Sequence, residues 1–561
     1  MVDDPKSSKP VSPGDGPPSL GTRVTVLDPA TVVRRAGAPA PHATLYLSDR
    51  LLVADSTQLL ADSTPEGSPL AALEAAAAQR GWTIQVDPAA RAHLDLLRQA
   101  ELPPEVFADL VASTGFAVGI APAEGKVTVP PDAWDLLEQV ADEGYAGTIT
   151  LDHVVMANTS IGGTPYTQPL PYTQPLPYTQ PLPYGGMAEY ALAGSGGRSP
   201  VAWVGPAPTR RHAKGKDVAM TESSAARPVV AVLDTGTGSH PWLTDEVVVR
   251  DPEVGGVPIG SFPVVHPASD DSETGGMGGR PLTGGLDAAA GHGTFIAGIV
   301  HQRCPDAVIL SCRLYGGQGA IGESELLGSL GRLLAYHWLG LGGRSLHHPV
   351  DVLVLSLGYY HERPEDVDFD GPLGRLIDAL RRYGVMVVVS AGNDGTTRPM
   401  FPAAFAPRLS SWDPPTPTDP STLRLDAPPV VAVGALNPDG STALFSNDGP
   451  WLTCLRPGAA LVSTMPTTMN GSSAPTRELA GQHKREVRRT IDPDGFGGGF
   501  GVWSGTSFSG PLLAGDLAAA LLELREAATG DTAKVQSETV KERCRAAWRA
   551  ITTTTGLPTP A

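Results

Sequence analysis

Cysteine is nearly missing from this chain, with 4 in 561 residues. Cys304, Cys312, Cys454 and Cys544 lie far apart and form no CxxC pair, which argues against a zinc knuckle or a redox dithiol and leaves a single disulfide open. Positive charge is also scarce: 41 Lys and Arg stand against 59 Asp and Glu, for a net charge of -18 and a pI near 5.1. Such a chain repels phosphate backbones, so nucleic acid is not expected as a partner. Long apolar runs are absent too. Stretches such as Val229 to Leu233, Val352 to Leu357 and Val385 to Val389 fall far short of the roughly 20 residues that cross a bilayer, so no membrane partner is expected and these runs read as buried strands. Met1 to Pro18 has no basic segment followed by an apolar run, so no secretory signal is visible and a cytoplasmic location is the expectation.

What the chain does have is length, together with 65 Gly and 55 Pro. One core rarely serves so many residues, and two folded units with linkers are expected. Residues 1–41, rich in Pro, Gly, Ser and charge, read as a flexible leader. Residues 42–158 read as a small α+β domain. A strand over Ala43 to Ala54 leads to a helix begun by Ser68-Pro69 and stopped at Gly81, and a strand over Trp82 to Val86 follows. Phe116 to Ile120, Pro130 to Glu143 and Thr148 to Met156 then repeat strand, helix, strand.

Residues 159–227 form a linker in which Pro-Tyr-Thr-Gln-Pro-Leu occurs three times, from Pro165, Pro171 and Pro177. Proline at that density favours an extended spacer, with partner docking as the sharper alternative. After Pro228, short apolar runs alternate with helical patterns to about residue 555. That alternation predicts an α/β fold, a doubly wound, mostly parallel sheet covered on both faces, with function at the carboxyl ends of its strands.

One of those ends is Val-Ala-Val-Leu-Asp234-Thr-Gly. An aspartic peptidase also presents a carboxylate in this way, but it needs a second one to share a proton, and no second Asp-Thr-Gly or Asp-Ser-Gly occurs. Gly291-His292-Gly293-Thr294 opens a helical stretch, and Gly505-Thr506-Ser507-Phe508-Ser509-Gly510-Pro511 opens an apolar one. A serine at a helix start sits where the dipole favours developing negative charge, although an ordinary N-cap would look the same. Singly, each motif is weak.

Together, and in the order Asp, His, Ser, the three motifs resemble the subtilisin-like serine peptidases. The resemblance covers about residues 228–526. It implies that Ser507 attacks a peptide carbonyl, that His292 takes and returns the proton, and that Asp234 orients the imidazole. Ser390-Ala-Gly-Asn393 is similar to the segment whose asparagine donates to the oxyanion, which gives Asn393 that role beside the Ser507 backbone N–H. Ser356-Leu357-Gly358 resembles the edge that pairs with substrate as an added strand. Met400, before Phe401-Pro402, falls at the base of the family's primary specificity pocket. A shortened pocket that disfavours large aromatic residues is expected there, with Asp394 available to a basic one.

The implied partner is a polypeptide substrate. No metal is expected, because Ser269-Asp270-Asp271 and Glu362 to Asp370 lack calcium-ligand spacing; a structural calcium is therefore not indicated. The β-α-β order of residues 42–158 is compatible with an inhibitory prodomain, making the chain an autoinhibited zymogen cut between Asn158 and Arg227; a substrate- or partner-binding domain is the alternative. The insertion at about 465–500, with a charged run from Thr476 to Thr490 read as helical, is a surface loop or a lid. A silent binding protein on the same fold, or a lipase-like hydrolase, are the competing functions. The latter lacks its Gly-x-Ser-x-Gly elbow at Ser507.

Overall fold

The apolar runs after Pro228 become one seven-stranded sheet in the computed structural model. The described residues are 24–560, other than 36, 62–63, 127–128, 146, 159–160, 162–189, 191–196, 212–226, 280–281, 283, 345, 364–370, 472–477, 481–486, 490–494 and 530–538. Across the sheet the order is Cys454–Pro457, Val431–Leu436, Met386–Ser390, Val352–Leu355, Val229–Asp234, Val308–Arg313 and Val248–Arg250, and every neighbouring pair is parallel.

Parallel strands need cover on both faces, which explains why the runs are continuously apolar rather than alternating. Val229, Ala231 and Leu233 pack toward helices Glu323–Leu341 and Pro372–Arg382. Val230 and Val232 pack toward His292–Arg303, Thr506–Thr529 and Val540–Thr555. The chain enters the sheet at Val229–Asp234, adds Val308–Arg313 on one side and then Val352–Leu355 on the other. That reversal opens a crevice at the carboxyl ends of the two central strands. The outer strands Val248–Arg250 and Cys454–Pro457 are short and only partly buried, so no apolar run announces them in the sequence.

The N-terminal unit is an antiparallel sheet in the order Trp82–Val86, Phe116–Pro122, Thr44–Val53 and Ile149–Ala157. Helices Pro69–Gln79 and Ala133–Val140 cover one face around Trp82, Phe116 and Trp134. Two helices absent from the expected order, Pro88–Gln99 and Pro104–Ser113, cover the other. The first is capped by the Asp87 side chain, which accepts from the Ala89 N–H at 2.9 Å. Their buried residues Leu94, Leu97, Leu110 and Val111 share one core with Leu330, Leu333, Leu373 and Ile377 of the larger unit. The two units are therefore fused through a common apolar layer, and Ile149–Ala157 continues into strands of the larger unit on its far side.

Several expectations are corrected here. Val24–Leu27, assigned to the leader by composition, pairs antiparallel with Thr44–Leu47; its Val-Thr-Val-Leu sequence suits an edge strand. The run read as helical from Thr476 to Thr490 contains a hairpin, Glu478–Ala480 with Val487–Arg489. So few apolar residues give a helix no stripe to bury, and an isolated helix of that length is marginal. All four cysteines are free thiols. The Pro-Tyr-Thr-Gln-Pro-Leu repeats lie outside the described residues.

Candidate active site

Asp234 is the last residue of a central strand and is 1% exposed. Its Oδ1 accepts from the Thr235 N–H at 2.8 Å, and both of its oxygens lie near His292 Nδ1, at 2.8 and 3.0 Å. The Tyr315 hydroxyl donates to Oδ2 at 2.5 Å. Burial beside that carboxylate pushes the tyrosine's pKa well above its ordinary value, so it remains a donor.

His292 opens its helix directly after Gly291, whose φ of 78° lies in the left-handed region that glycine tolerates. The helix start is bolted to the strand end: the Gly293 N–H donates to Thr235 Oγ1 at 2.8 Å, and the buried Glu273 carboxylate accepts from the hydroxyls of both Thr235 and Thr294. Burial pushes the Glu273 pKa up to about 7 against the pull of those hydrogen bonds. The His292 ring packs against Phe508 and Trp503, with centroids 5.4 and 5.5 Å away, which fixes its plane.

Ser507 is the second residue of the long buried helix Thr506–Thr529. Asn393 follows the sheet strand Met386–Ser390, and its amide has one possible orientation, because Oδ1 accepts from both the N–H and the hydroxyl of Thr506, each at 2.8 Å. The Nδ2 group is thereby turned outward. It donates to the backbone carbonyl of Asn158 at 2.6 Å, and the Ser507 hydroxyl donates to the same oxygen at 2.8 Å. His292 Nε2 has no hydrogen-bond partner among the described residues, so the expected Ser507–His292 bond is replaced here by Ser507–Asn158.

Asn158 directly follows Ile149–Ala157, the last strand of the N-terminal unit, and that strand lies in the crevice as a third party. On one side Met156 and Ala157 pair antiparallel with Gly358 and Leu357. On the other, Val154 to Met156 pair antiparallel with Ala320–Gly322. The Asn158 N–H donates to Ser356 O at 3.1 Å and the Ala157 N–H to Gly319 O at 2.7 Å. The segment Ser356, Leu357, Gly358 thus carries an added strand, and the strand belongs to the chain itself.

Met400 lies between Gly358 and Gly392. A Cβ on Gly392 would meet its Sδ at 2.5 Å and one on Gly358 its Cε at 2.4 Å, so the thioether fills space between those two walls. Asp394 lines the same cavity, of about 60 Å³, but its carboxylate accepts the Tyr360 hydroxyl.

Further up the cleft strand, His153 is clamped between two carboxylates of the larger unit: Nδ1 to Glu323 at 2.8 Å and Nε2 to Glu362 at 2.7 Å, all buried. Burial alone would lower the imidazole pKa, but the Glu362 charge and the two hydrogen bonds raise it to about 10. Glu362, which burial would push up, is held well below the usual carboxylate range by His361 and His153. His153, His361 and Glu362 are also the one group among the described residues whose ligand atoms all lie within 4.8 Å of one another, as a metal would require.

Sequence reasoning gave no site role to Asn158, Gly319 to Gly322, Tyr315, Glu273 or Ser390. Three of them carried a signal: Tyr315 follows the apolar run of a sheet strand, Ser390 opens the Asn393 motif, and Asn158 bounds the region expected to be cut.

Asp234 joined to His292, and Ser507 and Asn393 joined to one carbonyl oxygen, thus lie at the crevice of a parallel α/β sheet. The chain belongs to the subtilase family, whose model matches residues 226–550, a family of serine peptidases. It is 27% identical over 256 residues to the alkaline protease of Alkalihalobacillus alcalophilus, covering 45% of this chain and 52% of that one. The same identity over 256 residues relates it to subtilisin BL of Lederbergia lenta, covering 45% and 73%. The chain therefore spans about half the length of the first relative. Among solved structures it resembles fervidolysin of Fervidobacterium pennivorans, a keratinolytic enzyme related to subtilisin, with a TM-score of 0.39 and 17% identity over 85% of this chain and 55% of that one.

Proposed function

We propose that the chain is a serine endopeptidase made as a zymogen, with its N-terminal unit lying in its own substrate cleft. The observation that carries this is the Asn158 carbonyl oxygen, held between the Ser507 hydroxyl and the Asn393 amide. In this reading Ser507 Oγ adds to a peptide carbonyl while His292 takes its proton at Nε2, the ring nitrogen left without a partner. Asp234, joined to Nδ1, keeps the tautomer that leaves Nε2 free to accept, and stabilises the imidazolium.

The Asn393 Nδ2–H donates to the developing oxyanion. Because Thr506 fixes the amide beforehand, no reorganisation is needed as charge appears. His292 then returns the proton to the leaving amine, and water repeats the sequence to release the acyl group. The substrate is a polypeptide that takes the extended course now followed by Met156 to Asn158, between Leu357–Gly358 and Ala320–Gly322.

A fluorophosphonate probe tests the reading. Labelling of the wild-type protein but not of Ser507→Ala establishes an activated serine. Absence of labelling of the wild-type protein after the N-terminal unit has been cleaved off would point to a binding role for the fold.

A further inference from the structure

The residue in the cleft is an asparagine, and the pocket around it fits an amide better than the alternatives. We propose that this peptidase cleaves after asparagine, that Ser390 and Met400 set that preference, and that its first substrate is its own Asn158–Thr159 bond. The inference rests on the peptidase reading above.

The Asn158 side chain points into the enzyme and donates from Nδ2 to Ser390 Oγ at 2.8 Å. Ser390 is buried at the end of a sheet strand, and its hydroxyl lies 3.5 Å from the Leu355 carbonyl as donor. With its proton directed there, the oxygen offers a lone pair, which an amide N–H₂ satisfies and a carboxylate or hydrocarbon does not. A leucine or phenylalanine at this position would leave Ser390 Oγ without that partner in a dry site, the situation in which polar pockets discriminate most strongly.

An aspartate would add a second negative charge beside Asp394, which lines the same cavity. A glutamine or an aromatic side chain reaches further, toward the space that the Met400 thioether occupies between Gly358 and Gly392. Polar selection by Ser390 and steric closure by Met400 therefore act together on a short amide.

The chemical step balances without a cofactor. Ser507 Oγ bonds to the Asn158 carbonyl carbon, the bond from that carbon to the Thr159 nitrogen breaks, and the serine proton passes through His292 to the new Thr159 amine. Water then hydrolyses the ester, leaving an Asn158 carboxylate and restoring the serine.

The full-length chain can be tested in cis. Purified wild type should convert to a form whose N-terminus is Thr159, while Ser507→Ala stays intact by mass. Asn158→Leu, Asn158→Asp, Asn158→Gln and Asn158→Phe chains should each lengthen the half-life of the full-length species by at least about tenfold. With peptides of the form acetyl-Val-Met-Ala-Xaa-aminomethylcoumarin, kcat/KM should favour Asn by a similar factor, and Ser390→Ala should narrow the Asn-to-Leu ratio about tenfold. A different new N-terminus, or equal half-lives across the Asn158 series, would overturn the inference while fluorophosphonate labelling kept the peptidase reading intact. No conversion, with no labelling even after an added protease has removed the N-terminal unit, would overturn both.

Discussion

Two grips hold the strand Ile149–Ala157 in the larger unit, and they differ in kind. At His153 the grip is charged and sealed, an imidazole between two buried carboxylates. At Asn158 it is neutral, a carbonyl and an amide meeting a hydroxyl, a side-chain amide and backbone groups. A buried ion pair is costly to leave half-made, so the first grip resists separation of the units. Oriented dipoles bind a carbonyl modestly and a tetrahedral oxyanion far more strongly, so the second suits chemistry rather than retention. Holding and cutting are thus assigned to different ends of one strand.

The largest expected effect lies at the neutral grip. Ser507→Ala should lower turnover by about a millionfold, the scale found when this nucleophile is removed from subtilisin, and should leave the chain uncut by intact mass. Asn393→Ala should cost about 100- to 1000-fold in kcat, as loss of such a donor does in subtilisin, with little change in KM, since the lost interaction belongs to the transition state.

The charged grip is broken by His153→Ala. In the uncut Ser507→Ala chain this should destabilise docking of the N-terminal unit by about 3–5 kcal/mol, because Glu323 loses the imidazolium it is paired with and Glu362 is left with His361 alone. Urea unfolding and hydrogen exchange at Ile149–Ala157 would read it. Unchanged exchange would mean that the apolar layer alone retains the unit.

The same grip should respond to pH with a defined sign. His153 binds its proton more tightly when folded, so its contribution is complete below about pH 6.5 and fades as pH rises through about 10. Glu362, held low, contributes above its ordinary range and loses that contribution as pH falls. Around the pair stand Asp152, His361 and Tyr359, the last stacked on His153 at 4.4 Å. Exchange at Ile149–Ala157, corrected for its intrinsic pH dependence, should therefore rise at both extremes, and His153→Gln should flatten the alkaline limb. The smallest effect is steric: Met400→Ala should raise turnover after phenylalanine about tenfold relative to wild type, measured on the peptide series.

Much of the larger unit was legible because parallel strands buried on both faces leave unbroken apolar text, as in Val229 to Leu233 and Val385 to Ser390. Glycine-flanked motifs marked Asp234, His292, Ser507 and Asn393 as candidates. The edge strands Val248–Arg250 and Cys454–Pro457 were not legible, being short and partly exposed. Nor were the helices Pro88–Gln99 and Pro104–Ser113, whose apolar faces make sense only against the partner helices they cover.

By itself the sequence determined the family, the order of the reactive residues and the sheet that carries them, because those depend on local pattern and on a few invariant chemical needs. Only the tertiary structure decided what stands in front of Ser507. Asn158 is an ordinary residue just past an ordinary strand, Glu273 and His153 carry no motif, and Ser390 stands in its motif only as a neighbour of Asn393. The parts of Asn158, Ser390 and His153 arise from contacts between segments more than 100 residues apart, such as Ser507 to Asn158 across 349 positions and His153 to Glu362 across 209, and no local pattern in a chain encodes a distance of that kind.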